Sequence, residues 1–388
     1  MFAKTSYPDW EHLVQKQLKT DDIYAVLEKG NLEGISVKPY YSSVSRPLRN
    51  LPKVEESTQL VARYQENLED DVIAFLLDEN VENLEEKAIF INNKDLAEHI
   101  SALETSSYYS LIDLFSDDRS GEIDENLGKE LLAKSFDRNI CIDVSLHQNS
   151  GAAIYQQLGI ALAKAKDLTE LFGPEILDKL VFRFAVGGNY FFEIAKLRAF
   201  KLLFNQLSKE FGMDSIPYIF AESSLRNKSK NDPENNLIRS TVELSAAMIG
   251  GADAVFSNNY KLDEGNSLSE EISFKQQIVL AYESIINVFD DAANGSYFVE
   301  EITQQFADKA WQFFLETEEE GGYCAMLKNG VMQKKIFDQA VAEQKWVEEG
   351  RIKLIGVNLY PKREKTKNIE DLYTPSAVKP VRLAEMFE

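Results

Sequence analysis

Three histidines and two cysteines are the chain's whole stock of imidazole and thiol, so acid–base, nucleophilic and metal chemistry can be weighed residue by residue. His147 is the sharpest candidate. It ends a β-type run, Ile140 to Leu146, and stands among Gln148, Asn149 and Ser150, with Gly151 permitting a tight turn. Just past a strand's carboxyl end is where a (β/α) barrel places catalytic side chains, so His147 could serve as a general acid or as a donor to a carbonyl. The competing role is a loop histidine that caps the next helix or bonds a backbone group. With no partner identifiable nearby, that competing role is favoured. His12 and His99 lie in helical, solvated contexts ("DWEHLVQ", "LAEHISAL"). Cys141 sits in a strand-like run as a small core residue, and neither it nor Cys324 belongs to a C-x-x-C pair. Histidines this scattered give no transition-metal set. The Gly pairs at 187–188, 250–251 and 321–322 match neither G-x-G-x-x-G nor the P-loop spacing and are read as turns or close packing. Asp290 and Asp291 mean little in so acidic a chain. The loop "NNYKLDEGNSLSEE" sets Asp263, Glu264, Glu270 and Glu271 against Lys261, which disfavours a phosphorylated ligand there.

These residues need a scaffold, and the composition bounds it. The chain has 388 residues, 44% apolar and 27% charged, enough for one large α/β domain with extensions. Its net charge of −22 argues against nucleic acid and anionic membranes, which need clustered Lys and Arg. The start, "MFAKTSYPDW", has no apolar signal region, and no apolar run approaches the roughly 20 residues of a bilayer span, so the expected location is cytoplasmic.

From residue 70, β-type runs alternate with amphipathic stretches: 72–78, 88–93, 108–115, 140–146, 180–187, 216–223 and 252–258, with an eighth candidate at 286–292. Such alternation means parallel strands with helical crossovers, and eight strands favour a TIM-type (β/α)8 barrel. In "GGNYFFEIAKLRAFKLLFNQLSKEFG", Phe192, Ala195, Ala199, Leu203 and Leu207 share one helical face and Gly212 is a stop. Residues 1–45 read as an N-terminal arm, whose helix carries Trp10, Leu13, Val14 and Leu18 at helical spacing. The barrel is expected over 46–345. Residues 346–388 form a C-terminal extension, with a strand-like run in "RIKLIGVNLYP" and a helical pattern in "VRLAEMFE" that stops abruptly, as a truncated linker to a further domain would.

Five segments carry a family resemblance: "FAVGGNYFFEIAKLRAFKLL", "NNLIRSTVELSAAMIGGADAV", "DDAANGSYFVEEITQQFADKAWQFF", "EEGG" and "EEGRIKLIGVNLYP". In order and spacing they resemble the methylmalonyl-CoA mutase family; "GISVKPYY" is a weaker match. The resemblance implies an eight-stranded barrel that binds acyl-CoA along its axis. It also implies a separate domain carrying adenosylcobalamin, whose cobalt takes a histidine from D-x-H-x-x-G. Some bacterial members pair a catalytic large subunit with a related small subunit that has lost both ligands.

Against the catalytic pattern, D-x-H-x-x-G is absent, no length for a cobalamin domain follows residue 361, and the first half is short. The aromatic, threonine-rich segment that lines the active barrel has no counterpart between Tyr41 and Asp70. Lys179 and Val181 stand where the resemblance expects Arg and Ser, and Phe220 and Glu222 where it expects a ligand-holding His and Gln. Leu146 replaces the Tyr of a Tyr-His pair, and His147 sits one residue too close to Gly151. The expectation is a non-catalytic small (beta) subunit, with His147 a vestigial candidate. No cofactor or metal is expected on this chain. Adenosylcobalamin is expected in a large (alpha) subunit, with which this chain forms a heterodimer. The alternative is an acyl-CoA-binding barrel of an active mutase that uses a separately encoded cobalamin domain. A barrel hydrolase with paired carboxylates is a third class, but no spacing singles out such a pair.

Overall fold

The computed structural model describes residues 6–42, 51–68, 72–81, 84–100, 102–117, 120–263, 265–361 and 364–388. The expected arm–barrel boundary at 45/46 and Glu264 lie outside them. Eight strands form the frame: β1 (Gln59–Arg63), β2 (Ala74–Leu77), β3 (Ala88–Ile91), β4 (Ser107–Ser110), β5 (Ile140–Asp143), β6 (Leu180–Val186), β7 (Tyr218–Ser223) and β8 (Ala254–Phe256). All neighbours are parallel, in the order β4-β3-β2-β1-β8-β7-β6-β5. Parallel bridges Tyr109–Arg138 and Asp113–Cys141 join the two ends, and the Cys141 N–H donates to the Ile112 carbonyl at 2.9 Å. The result is a nearly closed (β/α)8 barrel.

The count of eight is reached by a different strand from the one the sequence suggested. Residues 286–292 form no strand: the helix Ser267–Ile278 runs into a π-helical turn, Val279–Glu283, and then irregular chain. The missing strand is β1, whose buried Leu60, Val61 and Ala62 pair with β2 on one side and β8 on the other. β5 ends at Asp143, short of Leu146.

Helices Ile154–Phe172, Tyr190–Glu210, Pro233–Ile249 and Ser267–Ile278 follow β5 to β8. The first half is thinner. A 3₁₀ turn, Glu66–Leu68, lies between β1 and β2, and short helices Lys94–His99 and Glu125–Leu132 flank β4. The helix Tyr190–Glu210 buries the expected face. Its Phe200 and Phe204 pack on Phe182 of β6 with centroids 4.7 and 5.0 Å away, and Gly212 at φ +74 ends it. Helices Tyr297–Glu319 and Val331–Glu348 cover this side of the barrel.

The arm's helix, Tyr7–Leu18, is held by a Ser6 capping box and buries none of its residues. Tyr7 stacks on Trp10 and on Tyr40, and Trp10 lies tilted against Tyr40. The arm fastens to the barrel further along. Ser36 N–H donates to Gln305 Oε1 at 2.8 Å, and Gln339 Nε2 donates to the Leu32 carbonyl at 3.1 Å. Leu13 and Leu18 are exposed, and Trp10 and Val14 are half-buried. In the extension, "RIKLIGVNLYP" makes turns and one bridge, Ile355–Leu359, in place of a strand, because Gly356 turns at φ +75. "VRLAEMFE" closes as a 3₁₀ helix, Leu383–Phe387. Leu372, Tyr373, Val381 and Met386 seat the extension on Ala340.

Candidate functional site

Strand alternation decides what occupies the barrel axis. The inward set includes Phe90, Tyr109, Tyr218, Phe220 and Phe256, all buried. Ring centroids lie 4.8 Å apart for Phe90–Tyr109, 4.8 Å for Tyr109–Tyr218 and 5.1 Å for Phe90–Phe220. The axis is filled by contacting aromatic rings. Polar contacts finish both ends. At the amino end Tyr109 donates to Glu55 Oε1 at 3.0 Å and Tyr218 to Gln59 Oε1 at 3.1 Å. The segment carrying Glu55 is held across this end by Asp253, which accepts from the N–H groups of Val54 and Glu55 at 2.6 and 3.0 Å.

At the carboxyl end the Arg183 guanidinium lies 6.0 Å above the Phe220 ring. It donates to Glu222 at 2.5 and 3.0 Å and to Asn92 Oδ1 at 3.1 Å, with Asp143 3.5 Å away. Glu222, at a position where the resemblance expects Gln, is thus a charge compensated by Arg183. Val181 is apolar wall, and Lys179 is exposed at the end of the 3₁₀ helix Pro174–Lys179.

His147 takes no part in this axis. It lies on a one-turn helix, Ser145–Asn149, and is fully buried. Tyr323 donates to Asp117 Oδ1 at 2.6 Å, so its oxygen accepts from His147 Nε2 at 2.7 Å, which assigns the proton to Nε2. Nδ1 is buried without a partner. Asp117 and Asp113 share the Lys164 ammonium at 2.9 and 3.0 Å, and that ammonium lies over the Tyr323 ring. Burial pushes the imidazole down to about 4, although Asp117 pulls the other way. Burial also pushes Asp113 up to about 6 against the pull of Lys164. Burial opposes the charge of Lys164, but the two carboxylates outweigh it and hold the ammonium above its ordinary range. At neutral pH His147 is therefore an uncharged, enclosed ring that ties the chain after β5 to the helix Tyr323–Lys328. Its partners Tyr323, Asp117 and Lys164 were not anticipated from the sequence. Cys141 faces the barrel interior, and burial pushes its thiol well up, so it is inert.

The remaining candidates resolve into structure. Arg198 sends Nε and Nη2 to the two oxygens of Asp291 at 2.8 and 3.0 Å, and it also reaches Glu300 at 2.6 Å and Thr303 at 3.0 Å. Asp291, given no weight in the sequence, is thus a buried partner. Lys196 donates to the Ala185 carbonyl at 2.6 Å and pairs with Glu193. In the acidic loop Asp263 pairs with Lys230, Glu271 with Lys275, and Glu270 lies 3.9 Å from Arg63, so its cations extend beyond Lys261. His12 stands on the arm helix. His99 ends the helix that leads into β4, at the amino face of the barrel. Beside the carboxyl ends of β5 to β7, the 187–188 Gly pair opens on a cavity of about 560 Å³, shared with Gln148, Arg226 and Trp346.

Among the described residues no helix is long and apolar enough to cross a membrane. The methylmalonyl-CoA mutase family model matches residues 134–387. A methylmalonyl-CoA mutase of Rhizobium meliloti is 29% identical over 247 residues, which cover 60% of this chain and 34% of that protein. A methylmalonyl-CoA mutase small subunit of Porphyromonas gingivalis is 31% identical over 228 residues, 55% of this chain and 37% of that protein. A methylmalonyl-CoA mutase large subunit of Propionibacterium freudenreichii subsp. shermanii is 32% identical over 214 residues, 52% and 29%. The chain thus spans about a third of the length of the curated relatives it matches. With well over half of its residues matched by the family model, and with the motif residues Lys196 and Arg198 each engaged in buried contacts, the chain belongs to the methylmalonyl-CoA mutase family.

Proposed function

We propose that this chain is the non-catalytic small subunit of a cobalamin-dependent methylmalonyl-CoA mutase. It stabilises a catalytic large subunit that interconverts methylmalonyl-CoA and succinyl-CoA and carries the adenosylcobalamin. The observation that carries this reading is the filled axis: Phe90, Tyr109, Tyr218 and Phe220 touch one another where a thioester would have to lie. Opening it would require moving close-packed rings and unpairing Arg183 from Glu222, which leaves buried charges uncompensated. The imidazoles of this chain do not fit a cobalt ligand either. His147 is enclosed and engaged by Tyr323, His99 ends a helix at the amino face of the barrel, and His12 stands on the arm helix. The arm helix, with Leu13 54% exposed, supports a role in contact.

Equilibrium dialysis of the purified chain with coenzyme A, with and without the large subunit encoded in the same genome, tests the reading. The expected result is no saturable binding to the chain alone, and a heterodimer that outlasts the large subunit on heating. Saturable binding to the chain alone, followed by thioester isomerisation when a cobalamin-domain protein and adenosylcobalamin are added, would replace it with the reading of an active barrel.

A further inference from the structure

We infer that the amino-terminal face of the barrel, along the arc from β7 to β2, is where the body of the large subunit sits. This rests on the assembly role proposed above and adds to it the surface and the chemistry of the partner. Val54, Ile73 and Ile216 lie just before β1, β2 and β7, and these strands are consecutive around the ring with β8 among them. The segment 285–290 runs beside them, because the Asn287 carbonyl accepts from Thr58 N–H at 2.8 Å and from Lys53 Nζ at 2.9 Å.

That segment packs Ile286 against the core and turns Ile285, Val288 and Phe289 outward. Ile285 is 58% exposed and Phe289 49%, Tyr282 in the turn before them is 74% exposed, and Ile73 at the start of β2 is 65% exposed. The geometry is not that of a relaxed loop. A π-helical turn, Val279–Glu283, leads into it, and Ile285 holds φ +53, a left-handed conformation that a β-branched residue adopts only at a cost. The core does not claim these side chains, so a patch of this kind marks an interaction surface.

Charge selects the occupant. Glu56, Asp214, Glu283 and Asp290 are exposed around the arc, with Lys209 4.0 Å from Asp214 as counter-charge. A second copy would bring two such rims together, each on a chain of net charge −22. The fitting occupant is an apolar face bordered by Lys and Arg, which the large subunit would supply.

The test measures the affinity of the full chain for the large subunit of the same genome at low and high salt. Ile285→Asp with Phe289→Asp should weaken association about thirtyfold or more, the loss typical of truncated interface anchors. Glu283→Lys with Asp290→Lys should weaken it about tenfold at low salt and flatten the salt dependence. Leu171→Asp, at an exposed apolar site elsewhere on the barrel, should leave affinity unchanged. Denaturant unfolding of each variant alone confirms that the chain still folds. A wild-type complex whose affinity both arc variants leave intact overturns this inference alone. The absence of any wild-type complex overturns the assembly reading and this inference with it.

Discussion

Replacing His147 by Gln puts a number on whether this imidazole is a buried structural ring or a titrating acid. The ring is fully buried, and burial holds it down at about 4, against an ordinary value of 6.5. Between those two pH values the unfolded chain binds a proton that the folded chain does not. Stability therefore rises with pH through this window, is fully present above about pH 6.5, and is lost as pH falls toward 4. Each pH unit is worth about 1.4 kcal/mol, so between pH 8 and pH 5 the wild type should lose about 2 kcal/mol through this group. His147→Gln lacks that loss but keeps Asp113, Asp117 and Lys164, whose titrations are common to both proteins and cancel in the comparison. At pH 8 the variant should be less stable by about 1–2 kcal/mol, since Gln cannot place a donor on Tyr323 in the same way. Urea unfolding of both proteins at pH 8, 6.5 and 5 measures the two profiles. Parallel profiles, with the same loss on acidification, would refute the argument that burial governs this histidine.

Arg198→Met should cost about 3–5 kcal/mol, because it leaves the enclosed Asp291 carboxylate and the half-buried Glu300 against no cation; Arg198→Lys should recover only part of this, since Lys cannot bond both Asp291 oxygens. Thermal unfolding checks both. Phe220→Ala should cost about 3–5 kcal/mol by guanidinium titration, as a cavity inside a packed barrel, and should not raise coenzyme A binding in dialysis. Deleting the chain through Leu18 should change the stability of the isolated chain by no more than about 1–2 kcal/mol, because the helix Tyr7–Leu18 buries no residue and the deletion removes surface contacts such as those with Tyr40. If the assembly proposed above forms, the same deletion should shorten its lifetime, read by surface plasmon resonance.

The strands β5 to β8 were legible because buried parallel strands are nearly continuous apolar runs, such as "LVFRFAV" and "YIFAES". β1 was not. Its five residues begin with Gln59 and end with Arg63, and its crossover to β2 has shrunk to a 3₁₀ turn, so neither apolar length nor a following helix announces it. The false strand at 286–292 has the converse cause. Val288 and Phe289 are apolar but half exposed, so their hydrophobicity does not report burial in the core. The partner of His147 could not be read locally, since Tyr323 lies 176 residues away. Arg183 with Glu222 was within reach. Inward parity on β6 runs Val181, Arg183, and on β7 it runs Phe220, Glu222, which places opposite charges at the same end of the barrel.

The segments that announce the family and the groups that would perform its chemistry are physically separable in this chain. In "EIAKLRAF" the two cations face structure. Lys196 bonds the Ala185 carbonyl at the end of β6, and Arg198 joins the helix Tyr190–Glu210 to Asp291 and to the start of the helix Tyr297–Glu319. These contacts need the barrel's outer layer and place no demand on its axis. The axis is governed by other positions, the inward residues of β3, β4, β6 and β7, and there aromatic rings and the Arg183–Glu222 pair occupy the space. A chain can therefore keep the buried charges that set its helices and still close its channel, provided the inward positions fill it without leaving a polar group unpaired. If the barrel serves assembly, as proposed above, its rigid outer surface is the working part, and the arm helix and the exposed arc before β1, β2 and β7 are where its contacts are to be sought.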